Sequence, residues 1–571
     1  MITLTINGEQ IQAAEGSTII EAARQINISI PHLCYFEGLH PDGSCGVCIV
    51  EIEGERGVVR SCIRPVQEGM KIQTNTSKLR AARRVLVELL LANHPEGCFT
   101  CERNQNCELL DLASELGVKD LRFNNTKKAR RLDTSSPSII RDQDKCVLCG
   151  RCIRVCSETQ SVGVIDFCKR GPELKVTTFL DKGLGNVECV NCGQCIHVCP
   201  VAAIKEKSSV DDVWAAIANP DKYVVVQEAP AVRVALGEQL GLPVGTLVTG
   251  KMHAALKKLG FDAVFDTNFA ADLTIMEEGN ELVKRIKENG VLPMFTSCCP
   301  GWIKFTEHFY PDQLSHLSSC KSPQQMFGAL TKTYFAREAH IDPSRIVSVS
   351  IMPCTAKKFE AQRPEMISSG YRDVDYVLTT RELALMIKES GIDFSTLPDD
   401  SAIELMGQYT GAATIFGATG GVMEAALRTG YKIITGQELE KIDIAPVRGM
   451  EGIKSATVNI GGLELKVAVA HGLRNARQLM DQVKAGKSPY HFIEVMACPG
   501  GCVGGGGQPI GFDLAARELR GGGLYKEDKS LVLRRSYENP AIHKIYQDFL
   551  KKPLGEKSHH LLHTKYSARV V

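Results

Sequence analysis

The chain has 571 residues, of which 44% are hydrophobic and 23% charged, and its formal net charge is +1. That length exceeds what one hydrophobic core supports and implies about three to five folding units. The near-neutral charge offers no electrostatic case for nucleic acid or an anionic membrane. No apolar run reaches the length of a membrane span. The start, Met1-Ile2-Thr3-Leu4-Thr5-Ile6, lacks the basic and continuous apolar regions of a signal peptide, so a cytoplasmic location is expected.

Residues Ile2 to Ala13 alternate apolar and polar around Asn7-Gly8, which predicts a β-hairpin. Ser17 is placed to cap a short helix running to Ile26. Leu79, Ala82, Leu86, Leu89 and Leu90 recur at helical spacing and predict a helix ending near Asn93. Residues 122–136 are basic, then rich in Ser and Thr (Lys127-Lys128-Ala129-Arg130-Arg131), and read as a linker. Beyond about residue 210, strand-like runs at Tyr223–Val226, Ile346–Ile351 and Val467–Ala470 alternate with helical patterns, which favours an α/β layered domain.

The 22 cysteines set the chemistry. In a cytosolic chain, clustered cysteines bind metal more often than they form disulfides, and thiolate suits iron–sulfur clusters and zinc. Two runs recur 43 residues apart: Cys146, Cys149, Cys152, Cys156 and Cys189, Cys192, Cys195, Cys199, the second followed by Pro200. This is the spacing of two-cluster bacterial ferredoxins, in which the fourth cysteine of each run ligates the other cluster. Cross-ligation assigns Cys146, Cys149, Cys152 and Cys199 to one 4Fe–4S cluster, and Cys156, Cys189, Cys192 and Cys195 to the other. Zinc is the weaker alternative, because a zinc site does not need this run twice.

Cys34, Cys45, Cys48 and Cys62 depart from plant-type ferredoxin spacing, but Gly43, Gly46 and Gly54 give their loops freedom. They follow a hairpin and helix, as in the 2Fe–2S domain at the start of modular hydrogenases and of the large iron–sulfur subunit of respiratory complex I, which this segment resembles. A third set, His94, Cys98, Cys101 and Cys107, resembles the His/Cys3-ligated 4Fe–4S site of the same families. Zinc, or no metal, remains open for the first set, and a surface histidine for the third. A neutral imidazole in place of a thiolate makes such a cluster less negative and raises its potential.

Three later segments place cysteine after an apolar stretch and beside Pro or Gly: Thr296-Ser297-Cys298-Cys299-Pro300-Gly301-Trp302, Met352-Pro353-Cys354-Thr355-Ala356-Lys357-Lys358 and Met496-Ala497-Cys498-Pro499-Gly500-Gly501-Cys502. Spacing alone leaves buried inert thiols as open as a metal site. Together the segments resemble the three signature motifs of iron-only (FeFe) hydrogenases, and the whole chain resembles the large monomeric clostridial-type members. The resemblance implies that Cys299, Cys354, Cys498 and Cys502 hold the 4Fe–4S part of an H-cluster. It further implies that Cys502 bridges to a di-iron unit carrying CO, cyanide and an azadithiolate.

On the same resemblance, Lys357 donates to one cyanide, with a charged donor making the stronger bond. The backbone near Ala229, Pro230 and Ala231 approaches the other. Some relatives have serine where this chain has Ala231. Met352 and Met496 pack against the di-iron unit, and Gln324 belongs with the cofactor-contacting residues. Glu278, Glu281 and Arg285 share one helical face. A solvated charged stripe is the plain reading of that face. The resemblance implies a proton relay of Cys298, a water, Glu278, Ser318, Glu281 and Arg285. Cys168 is expected to be a packing residue, and Cys320 has no assigned role. The glycine runs 417–421 and 504–507 match no phosphate loop and read as packing turns.

The expected architecture is a multidomain α+β and α/β chain, with N-terminal ferredoxin-like iron–sulfur domains followed by a large α/β hydrogenase catalytic domain. The expected boundaries are 1–78 for the 2Fe–2S domain, 79–138 for the His/Cys3 4Fe–4S domain and linker, 139–209 for the two-cluster domain and 210–571 for the H-cluster domain. The expected activity is reversible production and oxidation of H2, with ferredoxin or flavodoxin as electron partner. Maturation proteins, a monomeric state and an anaerobic host accompany that reading. A non-catalytic iron–sulfur assembly or sensor protein built on the same fold is the alternative. It would be expected to lose a motif cysteine, Lys357 or Cys298, all of which are present here.

Overall fold

The computed structural model describes residues 1–124, 132–439, 442–511 and 513–569. The basic stretch 127–131, expected as a linker, lies outside them. The chain divides into two compact units, one of Met1–Thr159, Gly163–Val187 and Cys195–Lys205, the other of Gln160–Val162, Glu188–Gln194 and Glu206–Val571.

The first unit opens with a five-stranded sheet ordered Glu9–Ala13, Ile2–Ile6, Lys71–Gln73, Ile49–Ile52, Val59–Arg60. The hairpin forms at Asn7-Gly8, where both residues take positive φ (51° and 92°), as a two-residue turn between twisted strands requires. Leu4, Ile6, Ile11 and Ala13 bury one face against Ile19, Ile20, Ala22 and Ala23 of the helix Ile19–Gln25. That helix starts one residue later than expected. Thr18 is its cap, with its N–H donating to Glu21 Oε2 at 2.8 Å. Ser17 is spent elsewhere: its backbone bonds Ala14 and Val66. The long helix is Ser77–Ala92, capped by the Thr76 hydroxyl, which accepts from Leu79 N at 3.2 Å.

The second unit is built on two four-stranded sheets. One is parallel throughout, ordered Ala263–Asp266, Tyr223–Glu228, Ile346–Met352, Tyr376–Thr379. The other is ordered Met294–Phe295, Phe492–Met496, Leu463–His471, Ile453–Ile460, parallel except for its last pair. The central strands are buried on both faces, so they read as continuous Val and Ile runs. Their connections place the segment Ala229–Ala231 and all three cysteine motifs just beyond the carboxyl ends of four strands: Tyr223–Glu228, Met294–Phe295, Ile346–Met352 and Phe492–Met496. That is where open α/β sheets bind their ligands. Among the described residues, no helix is long and apolar enough to cross a membrane.

Candidate active site and metal centres

In the first unit, the Cys34 thiol lies within hydrogen-bonding reach of those of Cys45 and Cys62, and the Cys48 thiol within reach of that of Cys62. Cys34 N and Cys45 N each point at the other's sulfur, at 3.4 and 3.5 Å. The Arg83 guanidinium fixes their loop by donating to Val47 O and Ile49 O. His94, Cys98, Cys101 and Cys107 line one cavity of about 410 Å³. Cys146, Cys149, Cys152 and Cys199 line another of about 450 Å³. Burial pushes the Cys149 thiol up to about 12, so its sulfur carries negative charge only against a compensating cation. Cys156 and Cys195 belong to the first unit and Cys189 and Cys192 to the second. Cys168 is exposed on the strand Ile165–Cys168, which corrects the expectation that it packs in a core.

In the second unit, the sequence motifs converge on a cavity of about 770 Å³. Cys298, Cys299, Cys354, Cys498 and Cys502 line it, together with Ala229, Pro230, Ala231, Met352, Met496, Gln324 and Lys357. Two of the sulfurs sit at helix starts. Cys299 caps the helix Pro300–Phe309 and its Sγ accepts from Ala497 N at 3.3 Å, while Cys354 immediately precedes Thr355, the cap of Ala356–Ala361. Burial pushes the Cys354 thiol up to about 12, and the backbone amides of Ala356 and Lys357 aimed at its sulfur oppose that rise only in part. Gly505 has no room for a side chain, because an added Cβ would lie 2.1 Å from Pro353 O. Four thiols around one cavity, Cys498 buried and the other three partly so, with backbone donors aimed at Cys299 and Cys354, fit an iron–sulfur group. The methionines and the Ala229–Ala231 backbone leave apolar space beside it.

Lys357 Nζ donates to Cys298 O at 3.1 Å and to Glu360 Oε2 at 2.9 Å. Burial works against its charge, yet Glu360 and nearby thiols hold the ammonium above its ordinary value. An ammonium has three donors, so one remains for the cavity. Glu360 was not legible in the sequence. It also accepts from Ser322 Oγ (2.8 Å) and Gln324 Nε2 (3.0 Å), which turns the Gln324 side chain onto this network. His471 is equally hidden: its Nδ1 accepts from Gly500 N at 3.1 Å and its Nε2 meets Met450 O at 3.1 Å. Burial lowers it to about 4, so it stays neutral and pins the third-motif turn.

The loop Glu188–Gln194, which carries Cys189 and Cys192, is tied to the same motifs. Thr355 Oγ1 donates to Asn191 O at 2.7 Å, and Gln194 Nε2 donates to Gly504 O at 2.9 Å. The Ala229–Ala231 segment is anchored by Arg233, which is buried and pairs with Glu228 (2.5 Å), Asp266 (2.7 Å) and Glu527 (3.1 Å).

Of the residues expected to form a relay, Glu278, Glu281 and Arg285 lie on the helix Asn268–Lys287, whereas Cys298 and Ser318 come from later segments. Cys298 and Glu278 are close enough that the Glu278 charge adds to burial in raising the thiol. Burial, then the Glu281 charge, pushes Glu278 up to about 8. Ser318 Oγ donates to Glu281 Oε2 at 2.9 Å, and Arg285 Nη2 donates to Glu281 Oε1 at 2.7 Å. Arg285 also bonds Ser315 O and Leu317 O towards the surface. Cys320 is fully buried beside Glu281.

Residues 222–506 match the C-terminal domain of the iron only hydrogenase large subunit, and residues 514–569 the iron hydrogenase small subunit. Residues 1–77 match a 2Fe–2S iron–sulfur cluster binding domain, 83–122 an iron–sulfur binding region of NADH-ubiquinone oxidoreductase G, and 136–205 the ferredoxin-like domain of NADH-quinone oxidoreductase subunit 3. The NADP-reducing hydrogenase subunit HndD of Solidesulfovibrio fructosivorans is 50% identical, across 100% of this chain and 99% of that protein. Iron hydrogenase 1 of Clostridium pasteurianum is 45% identical, across 99% of this chain and 100% of that protein. A solved structure of a variant of the [FeFe]-hydrogenase HydA1 from Chlamydomonas reinhardtii is 45% identical with a TM-score of 0.58, covering 64% of this chain and 100% of that one. The chain belongs to the iron-only hydrogenases, oxidoreductases that interconvert molecular hydrogen with protons and electrons and relay those electrons through iron–sulfur groups.

Proposed function

We propose that the cavity holds an H-cluster, with Cys299, Cys354, Cys498 and Cys502 as ligands of its 4Fe–4S part and Lys357 as the donor to one cyanide. The single observation that carries this reading is the convergence of those four thiols, Lys357 and Cys298 on one cavity. When bound, the group supplies the redox chemistry and the metal position at which H2 is made or cleaved. The rest falls to this chain's own side chains. Lys357 orients, the methionines exclude water, and protons move between Cys298 and Arg285 through Glu278, Ser318 and Glu281. A relay of this kind needs donors and acceptors within about 3 Å or one water of each other, and the Ser318–Glu281–Arg285 portion meets that at 2.9 and 2.7 Å.

The accessory centres are read as one 2Fe–2S cluster on Cys34, Cys45, Cys48 and Cys62, one 4Fe–4S cluster on His94, Cys98, Cys101 and Cys107, and two more on the paired ferredoxin runs. Electrons enter near the N-terminus and pass along these centres to the cavity. The enzyme is cytoplasmic and monomeric, depends on maturation proteins for its di-iron unit, and exchanges electrons with ferredoxin or flavodoxin. The full-length similarity to a protein named as NADP-reducing supports a second reading of the partner: a companion polypeptide with nicotinamide chemistry.

The test is Cys298→Ala in matured protein. The variant keeps the iron content and the cluster spectra and loses most turnover. Hydrogen evolution at the wild-type rate would overturn the relay.

A further inference from the structure

Glu281 accepts more hydrogen bonds than a path from Ser318 to Arg285 requires. Ser319 N donates to it at 3.0 Å, and Ser319 Oγ lies 3.1 Å from Oε2. The same hydroxyl lies 2.9 Å from His563 Nδ1. His563 Nε2 lies 3.1 Å from Glu277 Oε2, and Glu277 in turn accepts from Tyr546 OH (2.6 Å) and Leu554 N (2.8 Å). Glu277, Glu281, Tyr546 and His563 are all buried. The backbone fixes this geometry: Cys320 and His563 form an antiparallel bridge, flanked by Lys321 N to Leu562 O and Thr564 N to Ser319 O, both 2.8 Å. His563 belongs to the region matching the small subunit, whereas Glu281 and Ser319 belong to the region matching the large one.

Counting protons shows what this line can do. A serine hydroxyl has one proton, and Ser319 sits between two acceptors, Glu281 Oε2 and His563 Nδ1. If His563 carries both ring protons, Nε2–H bonds Glu277, Nδ1–H bonds Ser319, and the Ser319 hydroxyl bonds the Glu281 carboxylate. If the extra proton is on Glu281, that carboxyl donates to Ser319, whose own proton points at Nδ1. The two arrangements interconvert when Nδ1 gives its proton to Ser319 Oγ and Ser319 gives its own to Glu281 Oε2. Two protons hop for a net transfer of one, no electron moves, and every donor is satisfied in both states.

We propose that His563, held by Glu277, is a proton-storing arm of the relay that loads and unloads Glu281 through Ser319. The proposal rests on the relay reading above. Glu281 is faced by Arg285, Glu278, Ser318, Ser319 and Cys320. His563 is faced by Glu277, Ser319 and Cys320, and it stacks on exposed His559 with 4.5 Å between ring centroids. Glu277 Oε2 holds the far ring nitrogen, Nε2, at 3.1 Å. Cys320, 4.0 Å from Nδ1, gives the arm a buried, poorly hydrated wall.

The experiment uses matured, full-length enzyme and compares Glu281→Gln, His563→Asn and Glu277→Gln. His563→Asn keeps a hydrogen-bonding atom near Nδ1 but cannot titrate. It is expected to lower hydrogen evolution roughly three- to tenfold and to leave the KM for the electron donor and the iron content unchanged. Glu277→Gln replaces the carboxylate that meets Nε2 at 3.1 Å with a neutral amide, so its rate should fall in the same direction with the KM unchanged. Wild-type rates in both variants, with Glu281→Gln inactive, would overturn the arm and leave the relay standing. An active Glu281→Gln would overturn both. If His563→Asn fails to hold iron, the Glu277→Gln rate decides alone.

Discussion

Replacing Glu278 with Gln should separate stability from turnover. Burial and the Glu281 charge raise this carboxyl from 4.5 to about 8. The unfolded chain ionises at the lower value, so folding at pH 7 must put a proton on Glu278, which costs about 3 kcal/mol for the 2.5 units between 4.5 and 7. The contribution is absent below the unfolded value, grows as pH rises, and levels off above about 8. An uncharged amide of the same size escapes it. Glu278→Gln should therefore be at least as stable as the wild type, by up to about 3 kcal/mol at pH 7, with the gain largest in alkali. Turnover should move the opposite way, because an amide cannot pass a proton between Cys298 and Ser318; a loss of about 10²–10⁴ is expected. The assay is hydrogen evolution from a reduced viologen across pH 6 to 9, beside thermal melts of the same samples. In the wild type, evolution should also decline above about pH 8 as Glu278 ionises. A Glu278→Gln enzyme evolving hydrogen within about threefold of wild type at pH 7 would refute the reasoning, and so would one that melts well below it.

Other perturbations have equally definite outcomes. Lys357→Asn removes the cavity's charged donor and leaves Glu360 buried without its ion-pair partner; activity should fall at least about tenfold, with the accessory clusters unchanged by paramagnetic resonance. Gly505→Ala would place a Cβ 2.1 Å from Pro353 O, so iron analysis should show loss of the catalytic-cavity cluster alone. Arg233→Met strands Glu228 and Asp266, carboxyls that burial already holds up at about 7 and 8, and should cost about 3–5 kcal/mol in calorimetry. His94→Cys adds a thiolate charge and should lower that cluster's potential in a redox titration.

Much of the site was legible because soft-metal chemistry constrains spacing. Cysteines repeated with two residues between them let three thiolates wrap one cluster from a single loop, so the runs at 146–156 and 189–199 announce themselves. The buried strands Tyr223–Glu228 and Ile346–Met352 were legible for a similar reason, since burial on both faces selects unbroken Val and Ile. What stayed hidden has no local period. His563 meets Ser319 across 244 positions of sequence, and Arg233 meets Glu527 across 294. The grouping of Glu188–Gln194 with the catalytic unit depends on bonds from Thr355 and Gln194 that no pattern within the cysteine run encodes. The helix start at Thr18 was missed because Ser17 and Thr18 are both good caps; the choice is made by Glu21, three residues after Thr18, and by the Val66 contact that occupies Ser17.

The most direct test of the central claim is an anaerobic infrared spectrum of the purified, matured protein. Sharp CO and cyanide stretching bands, lost when Cys502→Ala removes one proposed ligand, are the predicted result. A matured sample with its full iron content and no such bands, even after incubation with a synthetic di-iron mimic, would contradict it.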